Sequence, residues 1–355
     1  MDFFTKDKRT SIDSIEYAQY LAFGPISFQA TRLLRNFGIL ELIEKNNRNG
    51  VTQEDIVREL KLPEYGIRVL LEAGLGIGLL ITENDLYRTT KVAYFILHDE
   101  MTIVNLDFVN DICYRGMFEL EQSILNGKPE GLKTLGPWKT VYEGLSALPP
   151  REQKSWFNFD HFYSSDSFPE VIPYVFKDTP KRILDIGGNT GKWAIECAAY
   201  SPTVEMGIVD LPGQLNMAKK NIAEKGFSER VSFFEANVLD EKTTLPKGFD
   251  VIWMSQFLDC FSEEQIVSIL KRCREAIDEK GQVYILELFW DKQKYPSSSF
   301  SLQMTSLYFT NIANGNSQMY NSDLFAKLID KAGLKIEESI HQIGVSHSLL
   351  KCIKK

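Results

Sequence analysis

Paired cysteines are missing from this chain and histidines are scarce, and both shortages narrow its chemistry. Its five cysteines, Cys113, Cys197, Cys260, Cys273 and Cys352, are scattered through 355 residues with no Cys-x-x-Cys pair, and none of the four histidines stands at zinc-finger spacing to them. Neither a disulfide framework nor a structural metal is expected. No apolar run reaches the roughly 18 residues of a membrane span. The nearest, VLLEAGLGIGLLI at 69–81, is interrupted by Glu72, and the N-terminus MDFFTKDKRT lacks the basic-then-apolar order of a secretory signal. Cations are the minority charge, with 40 Lys and Arg against 48 Asp and Glu. That balance of −8 disfavours nucleic acid as a partner. The expectation is a reduced, cytoplasmic protein that engages neither nucleic acid nor membrane.

What is present suits a folded protein of two domains: 44% hydrophobic and 25% charged residues over 355 positions. From residue 15 to 98 the pattern predicts helices and then a hairpin. YLAFGPISFQATRLLRNFGILELIEK has helical spacing, and VTQEDIVRELKL offers Thr52 as an N-cap with Asp55 three positions on. EYGIRVLLEAGLGIGLL predicts a helix ending between Gly74 and Gly78, and LLITENDLYRTT alternates about a polar turn at 83–85. Three helices and a hairpin make a winged helix-turn-helix. Its second and third helices carry Glu54, Asp55, Glu59, Glu64 and Glu72 against Arg58, Lys61 and Arg68, the wrong sign for phosphates, so packing or dimerisation is the expected role.

Residues 99–180 read as amphipathic helices with aromatic clusters such as WFNFDHFY, and DTPKR at 178–182 turns into a new pattern. Strand and helix signals then alternate through RILDIGG, GKWAIECAAY, VEMGIVD, GQLNMAKKNIAEKG, RVSFFEAN, FDVIWMSQ, SEEQIVSILKRCREAI and GQVYILELFW. Alternation of this kind predicts an α/β fold around a parallel sheet, with ligands beyond the carboxyl ends of the strands.

The first strand signal runs into a glycine turn, ILDIGGNTG at 183–191. A dinucleotide site needs Gly-x-Gly-x-x-Gly; here the glycines are Gly187, Gly188 and Gly191, so the spacing fails. Asp185, two residues before the first glycine, would also repel a phosphate. A cationic ligand with an amino group fits better. S-adenosylmethionine carries a sulfonium, an α-ammonium and a ribose, and no phosphate. Asp185 would attract the ammonium, and the bare backbone of Gly187 to Gly191 would let the methionyl part lie close. Asp210, closing EMGIVD, would accept the ribose hydroxyls. Asn237 would reach the adenine amine, with Leu211 and Val238 on the faces of the ring.

In RILDIGGNTG, EMGIVDLPG, FFEANVLD, FDVIWMSQFLDCFSEEQ and GQVYILELFW, in this order and spacing, the chain resembles a class I S-adenosylmethionine-dependent methyltransferase of the small-molecule O-methyltransferase family, which includes caffeate- and hydroxyindole-type enzymes. The resemblance implies a winged-helix dimerisation domain at 1–110, a helical linker contributing to the acceptor pocket at 111–175, and a Rossmann-like cofactor domain at 176–355. It implies a homodimer acting on a small-molecule acceptor held between the domains. Ser165 and Ser255 join the cofactor residues by this resemblance, and Phe157, Phe162, Tyr308, Phe309 and Asn314 become the acceptor pocket.

The departures bear on chemistry. Asn189 stands where the family's turn has a third glycine, and Asn237 where it has an acid. Asp259, followed by Cys260 and Phe261, occupies the position of the family's catalytic His, while Glu287 matches the Glu that positions it, and a second supporting Glu falls near Met319. Three readings stay open: Asp259 and Glu287 form an acid–base pair; His161 or His347 replaces the missing His; or the cofactor is bound without methyl transfer, as in a regulatory protein or one of altered chemistry. Asp259 is normally a weak base, and a neighbouring carboxylate in a dry site would strengthen it.

Overall fold

The computed structural model describes residues 4–165 and 167–355, apart from the side chains of Ser164 and Ser165, and the chain divides into two units, Met1–Asn110 and Asp111–Lys355. In the first unit α1 (Ser11–Ala22) starts from a capping box in which Thr10 and Asp13 satisfy each other's backbone N–H. Then come α2 (Gly24–Asn36), α3 (Ile39–Lys45), α4 (Gln53–Leu60) and α5 (Glu64–Ile77). Thr52 caps α4 by accepting from the Asp55 N–H at 3.1 Å, and α5 stops at Gly78, whose φ is +84°. The hairpin pairs β1 (Leu80–Glu83) with β2 (Leu86–Thr89) through Asn84 and Asp85, both at positive φ, as a two-residue turn of right-handed twist requires. Helices α6 (Lys91–His98) and α7 (Glu100–Phe108) follow. Leu34, Leu40, Ile43, Ile56, Ile67 and Leu71 fill the core of this unit. Helix α1 buries none of its residues, and Ile12, Ile15 and Leu21 of α1, Phe23 between the helices and Ile26 of α2 are exposed.

The second unit opens with α8 (Leu120–Asn126), α9 (Val141–Gly144), α10 (Pro150–Ser165) and α11 (Phe168–Val175). Its sheet then alternates β3 (Arg182–Ile186), α12 (Lys192–Tyr200), β4 (Glu205–Asp210), α13 (Pro212–Glu224), β5 (Val231–Glu235), β6 (Val251–Ser255), α14 (Glu263–Ala276) and β7 (Gln282–Glu287). Helices α15 (Pro296–Tyr308) and α16 (Ser322–Lys331) and the strands β8 (Leu334–Ile343) and β9 (His347–Lys354) complete it. The strand order is β5-β4-β3-β6-β7-β9-β8, parallel from β5 to β7, with β9 antiparallel to β7 and β8. Order reverses at β3, the position where open sheets of this kind leave a ligand crevice.

Because side chains alternate across a strand, each strand feeds two cores. Leu184, Ile186, Ile252, Met254, Val283 and Ile285 pack on the α14 and α16 side. Ile183, Met206, Ile208, Trp253 and Leu286 pack on the α11 and α12 side, where the Trp193 and Trp253 rings stack at 3.9 Å. No helix among the described residues is long and apolar enough to cross a membrane.

Beyond α15 the chain widens into a π-helical turn, Phe309–Ala313, that carries Asn311 inward with no exposed surface. Its amide donates to the Gly116 carbonyl at 2.7 Å and its oxygen accepts from the Ser123 hydroxyl at 2.7 Å. This side chain joins the end of α15 to the segment around α8. Replacing it by Ala strips two buried polar groups of their partner, which is expected to destabilise the unit by roughly 2–4 kcal/mol. An Asn311→Ala protein whose urea midpoint matched the parent's would show that these bonds contribute nothing net.

Candidate functional site

At the carboxyl ends of the strands the alternation sorts the polar residues by face. Asp185, Asp210 and Ser255 continue the α12 side, following Ile183, Ile208 and Trp253, whereas Glu287 follows Val283 and Ile285 on the opposite side. The sheet therefore offers two chemically different ledges at one edge.

On the α12 ledge, Asp185 is 2% exposed and its Oδ2 has no hydrogen-bond partner. Burial, and then the neighbouring Asp210, push its carboxyl well above the usual carboxylate range. A Cβ on Gly188 would lie 2.6 Å from that oxygen, so the glycine is what lets the acid sit beneath the turn. Gly187 turns at φ +76°, and the Phe257 ring covers the place its Cβ would take. Asn189 adopts φ +46°, the left-handed conformation that an asparagine tolerates, and its N–H donates to Asp210 Oδ2 at 2.8 Å. Asp210 Oδ1 accepts from the Leu211 N–H at 2.7 Å. Each oxygen keeps a lone pair for a ligand; burial raises the Asp210 pKa and the two N–H groups partly offset this. The Ser255 hydroxyl is buried without a partner at the end of β6.

Farther out, Leu211 is exposed and Val238 buried. Asn237 is exposed and turns the chain, its Oδ1 accepting from the Leu239 N–H at 2.9 Å. The Ser165 side chain lies outside the described residues.

On the other ledge Glu287 is 1% exposed. Its Oε1 accepts from the N–H groups of Phe257 at 3.1 Å and Leu258 at 2.9 Å, while Oε2 has no partner. These bonds fix the one-turn helix Leu258–Cys260 that carries Asp259, which is 7% exposed. Burial raises Asp259 to about 6, opposed by hydrogen bonds from Cys260, and raises Glu287 well above its usual value with the Asp259 charge adding to it. Asp160, which the sequence reading passed over, is a half-buried acid on α10 that burial and then the Asp259 charge lift to about 7. It lies one turn beyond Trp156 on α10, and Trp156 donates to the Tyr308 hydroxyl at 2.9 Å. Asn314 donates to the Cys260 carbonyl at 2.7 Å, while its own oxygen accepts from Ser317, so this expected pocket residue is engaged in holding the Asp259 turn. Tyr308 and Phe309 are buried and adjacent, at 5.4 Å between rings. Phe157 pairs with Trp156 at 5.2 Å, and Phe162 with Tyr163 at 5.3 Å.

The two candidate histidines occupy different surroundings. His161 is exposed on α10, 5.8 Å from the Phe157 ring, and burial of part of its ring and the Lys192 charge lower its pKa. His347 has no exposed surface, is depressed to about 4 by burial, and lies 2.7 Å from the Gln256 amide. That amide also donates to the Tyr163 carbonyl at 2.9 Å, and Gln256 itself sits at φ +46°. Gln256 thus pins the end of α10 to β9, a role with no local sequence signal. Asp160 did have one, an acid set in the aromatic run FNFDHFY at helical spacing from Trp156. Among the described residues no group of three His, Cys, Asp or Glu is placed to hold a metal ion.

One ledge can hold a cation and a diol against a bare backbone, and the other can hold or move a proton. Comparisons with known proteins show the family of the chain. Residues 16–87 match a Dimerisation2-like domain and residues 173–335 an O-methyltransferase domain. The 3-hydroxy-5-methyl-1-naphthoate 3-O-methyltransferase of Streptomyces sahachiroi is 33% identical over 68% of this chain and 68% of its own length. The L-tyrosine C(3)-methyltransferase of Streptomyces lavendulae is 23% identical over 91% of this chain and 87% of its own. Among solved structures, the S-adenosylmethionine-dependent methyltransferase SibL in its apo form superposes with a TM-score of 0.71, at 23% identity, over 94% of this chain and 98% of that one.

The acid ledge imposes a pH dependence on folding. Asp160 and Asp259 keep their protons in the folded state up to about 7 and about 6, whereas in the unfolded chain they lose them near about 3.9. The folded state binds more protons over that window, so this contribution to stability is full below about pH 4 and is lost as pH rises through about 7. Asp160→Asn is expected to shrink the decline and to melt above the parent at about pH 8. Equal melting temperatures at that pH would mean that Asp160 carries no buried charge.

Proposed function

The chain belongs to the S-adenosylmethionine-dependent O-methyltransferase family, and on that premise we propose that it methylates a hydroxyl of a small, largely apolar or aromatic metabolite, with Asp259 as the base. The observation that carries this reading is the buried Asp259–Glu287 pair, fixed by backbone bonds at the ends of β6 and β7.

The α12 ledge fits the cofactor. The unpartnered Asp185 Oδ2 and Ser255 Oγ, and the glycine backbone that a Cβ would obstruct, are what such a ligand needs. Asp185 would take the α-ammonium, Asp210 the ribose hydroxyls with its remaining lone pairs, and Asn237, Leu211 and Val238 the adenine. Bound there, S-adenosylmethionine supplies an electrophilic methyl group. The chain's own residues supply alignment, exclusion of water and movement of a proton.

Asp259 at about 6 is a stronger base than an ordinary Asp and is still largely ionised at neutral pH. It would accept the acceptor's hydroxyl proton on its carboxylate, while Glu287 holds the turn that presents it. Phe157, Phe162, Tyr308 and Phe309 would form aromatic walls. His161 remains a candidate to contact the acceptor from α10, neutral at physiological pH because its pKa is lowered.

A second reading changes the acceptor atom. The similarity to an L-tyrosine C(3)-methyltransferase over 91% of the chain supports a ring carbon beside a phenol hydroxyl. The same proton transfer serves both, since a phenolate is nucleophilic at oxygen and at its ortho carbons. Analysing the methylated product by mass spectrometry and NMR separates the two.

Calorimetric titration with S-adenosylmethionine, S-adenosylhomocysteine and NAD tests the cofactor ledge: binding of the first two and not of NAD is expected, and Asp210→Ala should abolish it. An Asp210→Ala protein that binds as tightly as the parent overturns the ribose assignment. Asp259→Asn should lower kcat by about 10²–10⁴ while S-adenosylhomocysteine binding persists; unchanged kcat would remove Asp259 from the chemistry, and binding with no turnover on any phenol would favour a regulatory protein. For assembly, the exposed apolar residues of α1 and α2 and the dimerisation-domain match support a homodimer. Ile15→Asp with Ile26→Asp should shift the particle to monomer mass in light scattering, and a parent that is already monomeric sinks the idea.

A further inference from the structure

The loop that leaves β6 bends the chain at one residue. Gln256 has φ +46°, a left-handed conformation uncommon for a residue with a long side chain, and such strain persists only where its surroundings hold it. Its N–H donates to the Leu286 carbonyl of β7 at 2.9 Å, so the bend is tied to the sheet. The neighbours on both sides belong to the cofactor ledge: the Ser255 hydroxyl is buried without a partner, and the Phe257 ring covers Gly187. The Gln256 side chain reaches other elements. Its amide nitrogen lies 2.9 Å from the Tyr163 carbonyl of α10 and 2.7 Å from His347 Nε2 of β9.

The chemistry of the two partners fixes which way this amide points. A carbonyl can only accept, so the NH2 end faces Tyr163, and its second N–H is then left for His347. His347 must therefore offer a lone pair at Nε2 and carry its proton on Nδ1. The ring is fully buried and neutral, since burial lowers its pKa to about 4. Tyr163 stands in the last turn of α10, where carbonyls have no helical N–H to accept from. The amide thus caps that turn from outside the helix. The turn between β8 and β9 closes on the residues that follow: the Gly344 N–H donates to Glu170 of α11 at 3.2 Å, and a Cβ on Gly344 would lie 3.2 Å from Ser167. Gln256 is therefore the point at which β6, β9 and α10 meet.

We propose that Gln256 couples the cofactor ledge to α10: a ligand seated against Ser255 and Phe257 holds the residue between them in its left-handed bend, and the amide passes that order to the helix turn that carries His161 and Phe162. Gln256 is a positioning residue in this role and touches no reacting atom. The inference rests on the methyltransferase reading and deepens it, because residues on the acceptor side then answer to an occupied cofactor site. Coupling of this kind is reciprocal. The factor by which a ligand stabilises the capped turn is the factor by which the capped turn raises that ligand's affinity.

S-adenosylhomocysteine is the probe, and amide hydrogen exchange of the segment 156–163 in the full chain reads the turn. At saturation it should slow exchange there by at least about fivefold in the parent. Gln256→Asn is at ease at positive φ but one methylene too short for its partners, whereas Gln256→Glu keeps the reach and removes the donor. In both variants saturating S-adenosylhomocysteine should leave exchange of 156–163 unchanged, and its affinity by calorimetry should fall by about the factor of protection lost. A residue that only supports the fold would speed exchange equally with and without the ligand. Nitrogen NMR of the His347 ring adds a direct check, with the proton expected on Nδ1. Protection that is absent in the parent, or kept in either variant, overturns the coupling, while binding of S-adenosylhomocysteine leaves the methyltransferase reading standing. A proton on His347 Nε2 overturns the orientation of the amide and the coupling with it. If S-adenosylhomocysteine itself fails to bind the parent, the underlying reading fails too.

Discussion

Two N–H groups held by one carboxylate oxygen organise this site. Glu287 Oε1 grips the backbone of Phe257 and Leu258, and through that grip the end of β7 dictates the path of the loop leaving β6. The same few residues then act in both directions. Phe257 lays its ring over Gly187 on the cofactor ledge, and Asp259, one residue past Leu258, is set among the acids of the other. A single buried acid thus fixes the spacing between the place where a methyl group would be presented and the place where a proton would be removed. Glu287 is buried in this arrangement, and its second oxygen is left without a partner.

The electrostatics of the two ledges share one sign. Asp210 makes Asp185 harder to ionise on one side, and on the other Asp259 does the same to Asp160 and to Glu287. Accumulated negative charge in a low-dielectric crevice is tolerated in the free protein through protonation and relieved by cationic ligands. A sulfonium cofactor suits the first ledge for that physical reason.

The alternating signals between 182 and 290 placed the parallel sheet because each buried strand is continuous in sequence, and the acids closing RILDI and EMGIVD stand at the sheet edge for that reason. The Thr52 cap and the turn at Asn84 and Asp85 were equally local. Gln256 and Asn311 were not legible in the same way, nor was the encounter of Asp160 with Asp259, although Asp160 itself stands in an aromatic run at helical spacing from Trp156. Each acts on partners that are distant along the chain: Gln256 on Tyr163 and His347, Asn311 on Gly116 and Ser123, Asp160 on Asp259. Local periodicity carries no information on such encounters. Asn314 shows the limit from the other side, since its hydrogen bond to the carbonyl of Cys260, distant in sequence, has no local signal.

Asn189 carries a consequence for how the glycine turn behaves before anything binds. With a Cβ it explores far fewer backbone conformations in the unfolded chain than a glycine would, so less disorder is lost when it settles at φ +46°. Its left-handed strain and its reduced entropy loss oppose each other, and the N–H it directs at Asp210 tips the balance toward the formed turn. A cofactor held there would meet a loop whose shape is already chosen.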